Sequence, residues 1–162
     1  MLDKKLHDNK LESYLLAWIM AGYHTETDSW YKHHRKGFLF TLGDEPNLNV
    51  VPGEDLEHFL GYQKGAKDIT AQEALEKAKE QYEVFHIHIT NAAYPTSRVE
   101  RGWRGLVGDN FLTANSNEVA NVIADTIREH YVPVDEAIVE TETVVEETPR
   151  ESTEEETTFN TL

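Results

Sequence analysis

Apolar residues recur at helical spacing over residues 11–24, where Leu11, Tyr14, Leu15, Trp18, Ile19 and Gly22 fall on one stripe. The pattern predicts a helix there, with Asp8 or Asn9 as its cap and Glu12 in its first turn. The polar segment 25–29 closes it. Residues 37–42, Gly-Phe-Leu-Phe-Thr-Leu, are a short and nearly continuous apolar run. Such a run suits a strand buried on both faces, as in a parallel sheet covered by helices. Gly43 breaks it and Pro46 marks a loop. Leu56, Phe59 and Leu60 share a face, which gives a short helix over 55–62. The clearest helical pattern spans 70–83. Asp68 or Thr70 can cap it, and Ala71, Ala74, Leu75, Ala78 and Tyr82 form a small-residue packing face. It leads into a second strand at 84–89, Val-Phe-His-Ile-His-Ile. A loop at 91–95 precedes a helix over 99–107 that carries Trp103 and Leu106. Gly108-Asp109 then turns the chain into a strand at 110–113. Asn115 or Ser116 caps a last helix reaching about Tyr131, with Val119, Val122, Ile123, Thr126 and Ile127 facing inward. Pro133 ends it.

Helices and strands alternate along this order. That implies an α/β fold of three α/β/α layers, Rossmann-like, around a mostly parallel sheet. Three strands are few, since sheets have about four to six. Apolar residues make up 39% of the 162-residue chain and concentrate before Tyr131, so the core is built over residues 1–131. Residues 132–162 form a Thr/Glu-rich segment with ten acidic residues against Arg150, a net of −9. With the whole chain at −15, the remainder carries −6. Such a tail is expected to be disordered, with Phe159-Asn160-Thr161-Leu162 the best place for a short partner-binding motif.

Composition then removes whole classes of function. There is no cysteine, so disulfides and thiolate metal sites are out, and a reducing, cytoplasmic setting is the simple expectation. The opening Met1-Leu2-Asp3-Lys4-Lys5-Leu6 is too polar for a signal peptide, and no run of about 18 apolar residues exists to span a membrane. Nucleic-acid affinity rests on Lys and Arg neutralising phosphates, which this acidic chain lacks in excess. The local run Lys32-His33-His34-Arg35-Lys36 reads as a solvated loop ahead of a strand. Neither a glycine-rich phosphate loop nor a Gly-x-Ser-x-Gly nucleophile elbow occurs. The positive case for an enzyme is thin.

Two places could still carry chemistry. In open parallel sheets, ligands sit outside the carboxyl ends of the strands. Asp44 and Glu45 stand there, directly after the first strand, and carboxylate oxygen suits magnesium, calcium or manganese. His86 and His88 alternate along the second strand and project to one face, with Phe85, Ile87 and Ile89 on the other. Two such histidines can chelate zinc. In a doubly covered sheet the favoured outcome is two imidazoles hydrogen-bonded beneath a helix.

Several segments together resemble prokaryotic and phage von Willebrand factor A-type domains. They are Glu12-Ser13-Tyr14, His24-Thr25, the run from Lys36 through Gly43-Asp44-Glu45-Pro46, the stretch Tyr82 to Ile87, Trp103, and Leu106 to Asn110. The resemblance covers residues 9 to 131. It implies the C-terminal half of such a domain, with a divalent cation, magnesium or calcium, at the carboxyl edge of the sheet. Asp44 matches the aspartate after the family's fourth strand. Asn9, with Glu12 close by, falls near the family's second-loop ligand, where a threonine is the rule. The Asp-x-Ser-x-Ser loop is absent, and the three strands correspond to the last three of six. The resemblance therefore implies a non-enzymatic protein-interaction module with a residual metal site. Its partner would be a separately encoded N-terminal half-domain or an AAA-type ATPase. The alternatives are a small metallohydrolase using Asp44 with His86 and His88, or a structural, virion-associated protein.

Overall fold

The computed structural model describes residues 13–131. The described residues up to Glu129 form one compact unit. The described elements, in chain order, are α1 (Tyr14–His24), α2 (Asp28–His33), β1 (Gly37–Gly43), β2 (Val50–Val51), α3 (Gly53–Leu60), β3 (Ile69–Thr70), α4 (Ala71–Lys79), β4 (Tyr82–Ile89), α5 (Thr96–Val107), a 3-10 turn (Gly108–Asn110), β5 (Phe111–Ala114) and α6 (Val119–His130). This is the α/β, Rossmann-like architecture that the alternation predicts. None of the described helices is long and apolar enough to cross a membrane. The expected tail and its terminal motif lie outside the described residues, as do the expected caps Asp8 and Asn9.

The main sheet has the order β1-β4-β5, and both pairings are parallel. Gly37 aligns with Tyr82 and Gly43 with His88, while His86 aligns with Phe111 and His88 with Thr113. Side chains alternate across a strand, so one face carries Leu39, Thr41, Val84, His86, His88 and Phe111. Against that face lies the core, in which Leu15, Trp18 and Ile19 of α1, Ala74, Leu75 and Ala78 of α4, and Val99 and Trp103 of α5 are buried. The other face carries Phe38, Phe40, Leu42, Phe85 and Ile87, with the Phe40 and Phe85 rings stacked at 5.1 Å.

The helices form for local reasons that the sequence displays unequally. The stripe Tyr14, Leu15, Trp18, Ile19 and Gly22 of α1 is buried as its spacing predicts. Gly22 matters because α1 meets α4 closely there. A methyl at Gly22 would lie 2.8 Å from the Ala78 nitrogen and 2.9 Å from the Lys77 carbonyl carbon. Thr70 caps α4 in a full capping box. Its hydroxyl receives the Glu73 N–H at 3.2 Å, and the Glu73 carboxylate receives the Thr70 N–H at 2.8 Å. The Thr70 N–H, together with the Thr70 hydroxyl donating to the same carboxylate at 2.7 Å, holds the Glu73 carboxyl below the usual carboxylate range. Asp68, a candidate for the same cap, instead receives the Gly53 N–H at 2.8 Å and so serves the start of α3.

Three regions differ from expectation. Residues 28–33, where a polar segment at 25–29 and a solvated loop from Lys32 were expected, form α2, which Thr27 caps by accepting the Trp30 N–H at 3.4 Å. Nothing in α2 is buried, so no apolar stripe announces it. The pair β2 and β3 is a two-residue antiparallel ladder, too short to leave a period. Finally, α4 stops at Lys79 and β4 starts at Tyr82, whereas the pattern continues the helix to residue 83. The Gly37 N–H donates to Gln81 O at 2.9 Å, and the Tyr82 hydroxyl bonds Thr25 at 2.9 Å. The first ties this segment to β1 of the sheet, and the second ties Tyr82 to the end of α1.

Candidate binding edge at the carboxyl ends of the strands

Four segments meet where β1 and β4 end. Asp44 and Glu45 follow β1, and Asp44 Oδ2 accepts the Tyr94 N–H at 2.9 Å from the loop beyond β4. Trp103 of α5 donates its indole N–H to Glu45 O at 3.0 Å. The Glu45 N–H reaches the Tyr14 hydroxyl of α1 at 3.5 Å. Beside them, Asn91 and Ser116 exchange two bonds, 3.0 and 2.9 Å, joining the loops after β4 and β5. The first acidic residue after β1 is therefore held by backbone, with one carboxylate oxygen committed and its side chain half-buried.

His86 belongs to the core beneath this edge. Its ring stacks on Trp103 with centroids 3.5 Å apart and planes within 8°. The Tyr14 ring meets it edge-on at 5.0 Å. His86 Nδ1 lies 3.0 Å from Thr41 Oγ1, whose hydroxyl also reaches Phe85 O at 3.3 Å. That hydroxyl has one proton. When it goes to Phe85 O, Nδ1 carries the ring hydrogen and Nε2 is a bare lone pair. Burial pushes the His86 imidazole down to about 3, and the neighbouring His88 adds to the shift. The ring is thus neutral across the physiological range.

His88 is different. It is fully buried, yet neither Nδ1 nor Nε2 has a hydrogen-bond partner. Phe111 lies at 6.3 Å. Its neighbours in register are Gly43, which offers no side chain, and Thr113. Burial lowers its basicity, and the Asp44 carboxylate pulls the other way. The expectation of two hydrogen-bonded imidazoles holds for His86, under α5, and fails for His88.

Of the three predicted ligands, Asp44 stands at the carboxyl edge, while Asn9 and Glu12 lie outside the described residues. Among the described residues no three His, Cys, Asp or Glu side chains come together as a metal-holding group. Tyr14, Tyr94 and Trp103, which frame the edge, were not singled out as site residues by the sequence. Trp103 and Tyr14 read simply as apolar-face positions, and Tyr94 sits in a loop without a motif. No protein-family model matches the chain, and neither a curated protein nor a solved structure matches it.

Proposed function

We propose that the chain is a cytoplasmic protein-interaction module, the C-terminal half of a von Willebrand factor A-like domain, and that it docks through the outer edge of β1. The observation that carries this reading is the place of β1 in the sheet. Its sequence, Gly-Phe-Leu-Phe-Thr-Leu-Gly, has the composition of a central strand. Among the described residues it is nevertheless the terminal strand of the order β1-β4-β5. It has no charge, no proline and seven residues of regular pairing, so the strand itself carries none of the charges, prolines or bulges that blunt an edge. Gly37 donates to Gln81 of the neighbouring segment, and alternation then turns the amides of Phe40 and Leu42 outward. Leu42 is 40% exposed. A partner strand added there satisfies those amides and buries apolar surface at about 25 cal/mol per Å².

The resemblance supplies the partner as the N-terminal half of the domain, with an AAA-type ATPase as a further associate. It also supplies the cation. Asp44 gives one oxygen at the carboxyl edge, and hard cations take about six to eight, so the remaining ligands come from the partner and from water. Magnesium binding by the chain alone is then weak. Sedimentation velocity on the wild type and on Leu42→Lys tests the docking edge. The wild type should self-associate as concentration rises, and the lysine should suppress this. A wild type that stays monomeric throughout, with a sharp two-state unfolding transition, would refute the proposal.

A further inference from the structure

Strand β1 is terminal in the described sheet, and its sequence complements itself when reversed. In the central strand β4, Val84 to His88 are all buried, whereas in β1 only Thr41 is. A strand of central composition is thus packed like an edge, which leaves a place for a further strand. From Arg35 to Glu45 the chain reads Arg-Lys-Gly-Phe-Leu-Phe-Thr-Leu-Gly-Asp-Glu. Two basic residues precede an uncharged strand bounded by glycines, and two acidic residues follow it. When this segment is laid antiparallel on a second copy about Phe40, each position meets its complement. Gly37 falls opposite Gly43, Phe38 opposite Leu42, Leu39 opposite Thr41, and Phe40 opposite itself. Beyond the strand, Lys36 falls opposite Asp44 and Arg35 opposite Glu45, at both ends by symmetry. Opposite charges across an antiparallel pair attract, and like charges repel.

The hydrogen-bond phase agrees with this register. Gly37 turns its N–H to the Gln81 carbonyl, so the even-numbered residues of β1 turn their backbone outward. Phe40 then exchanges both its bonds with Phe40 of the second copy, and the Leu42 N–H meets the Phe38 carbonyl of that copy. Side chains keep their faces, so Phe40, already stacked on Phe85, meets its own counterpart across the two-fold axis. The outward backbone allows slippage only in steps of two residues. One such step sets Asp44 opposite Phe38 and the other sets Lys36 opposite Leu42, each a charge against an apolar side chain.

We infer that the chain forms a closed two-fold dimer through β1, antiparallel and centred on Phe40. The inference rests on the outer edge of β1 being the docking edge, and it names a second copy of the chain as occupant. Two three-stranded sheets become one of six strands, in the order β5-β4-β1-β1-β4-β5. The pairing uses the same edge of both copies and leaves only the four-residue β5 at each end, so assembly stops at the dimer. A second copy and an N-terminal half-domain then compete for one edge.

The test uses the full chain. Sedimentation velocity gives the dimer dissociation constant for the wild type, for Lys36→Glu, for Asp44→Lys and for an equimolar mixture of the two variants. Each variant alone sets like charges opposite each other at both ends and should weaken the dimer about tenfold. The mixture restores opposite charges at both ends and should recover the wild-type value. Should a variant fail to fold, the wild type decides. In a mixture of isotope-labelled and unlabelled wild-type chain, filtered proton spectra should place Leu39 Hα beside Thr41 Hα of the other copy, the close non-hydrogen-bonded pair of this register. No recovery in the mixture of folded variants, cross-copy contacts in another register, or oligomers that grow past the dimer would overturn the inference and leave β1 as the docking edge. A wild type that is monomeric at every concentration would remove the edge reading and the inference together.

Discussion

Acid should destabilise this fold through His86, by an amount the site geometry sets. The folded-state imidazole is pushed down to about 3 by burial against Trp103 and Tyr14, whereas an unfolded histidine titrates near about 6.5. Above the unfolded value neither state binds the proton, and the contribution of the buried neutral ring is complete. Below it the unfolded chain takes up a proton that the folded chain refuses, so stability falls as pH drops through the window from about 6.5 to about 3. The slope is about 1.4 kcal/mol per pH unit. Between about pH 7 and about pH 4.5 the loss is therefore about 2–3 kcal/mol. Urea unfolding followed by tryptophan fluorescence, on the wild type and on His86→Phe, isolates this contribution. Phenylalanine keeps a flat ring on Trp103, and Thr41 keeps Phe85 O as acceptor. Apart from His88, whose charge is coupled to His86, the carboxylates and histidines are common to both proteins and cancel in the difference. The wild type should lose about 2–3 kcal/mol relative to the variant over that window. Parallel stability curves would show that His86 accepts a proton in the fold, and the reasoning from burial and stacking would be refuted.

Other outcomes follow from single contacts. Gly22→Ala places a methyl inside the α1–α4 contact, 2.8 Å from a backbone nitrogen, and should cost about 1–3 kcal/mol in thermal or urea unfolding. Thr70→Ala removes the capping box of α4 and should cost about 0.5–2 kcal/mol by the same assay, with an unchanged value contradicting the cap. Asp68→Ala should destabilise by a similar amount through the start of α3, and amide exchange at Gly53 should rise, because that N–H loses its acceptor.

Legibility in the sequence followed the physics of each element. Strand β1 could be read because a continuous apolar run ends on Gly43 and Pro46, and β4 and β5 because short β-prone runs follow a clear helix and the Gly108-Asp109 turn. Helices α1 and α4 could be read because one face is buried. Helix α2 could not, since it buries nothing and depends on Thr27 and the left-handed His34 at its ends. The end of α4 was misplaced because Tyr82 sits four residues after Ala78 and looks like the next position of a helical stripe. The sheet claims it through the Gly37 to Gln81 bond instead. At the candidate site, Asp44 was legible from its place after a strand. The isolation of His88 was not, because it depends on the register that sets Gly43 beside it. The two other predicted ligands, Asn9 and Glu12, fall outside the described residues.

The outer edge of β1 is the centre of this account, and amide exchange read residue by residue tests it most directly. Leu39 and Thr41 face β4 and should be protected in dilute solution. Phe40 and Leu42 face outward and should exchange quickly there, then gain protection as concentration rises or as a strand-donating partner is added. Equal and concentration-independent protection at all four positions would mean that this edge is already covered, and would contradict the proposal that it is where the protein binds.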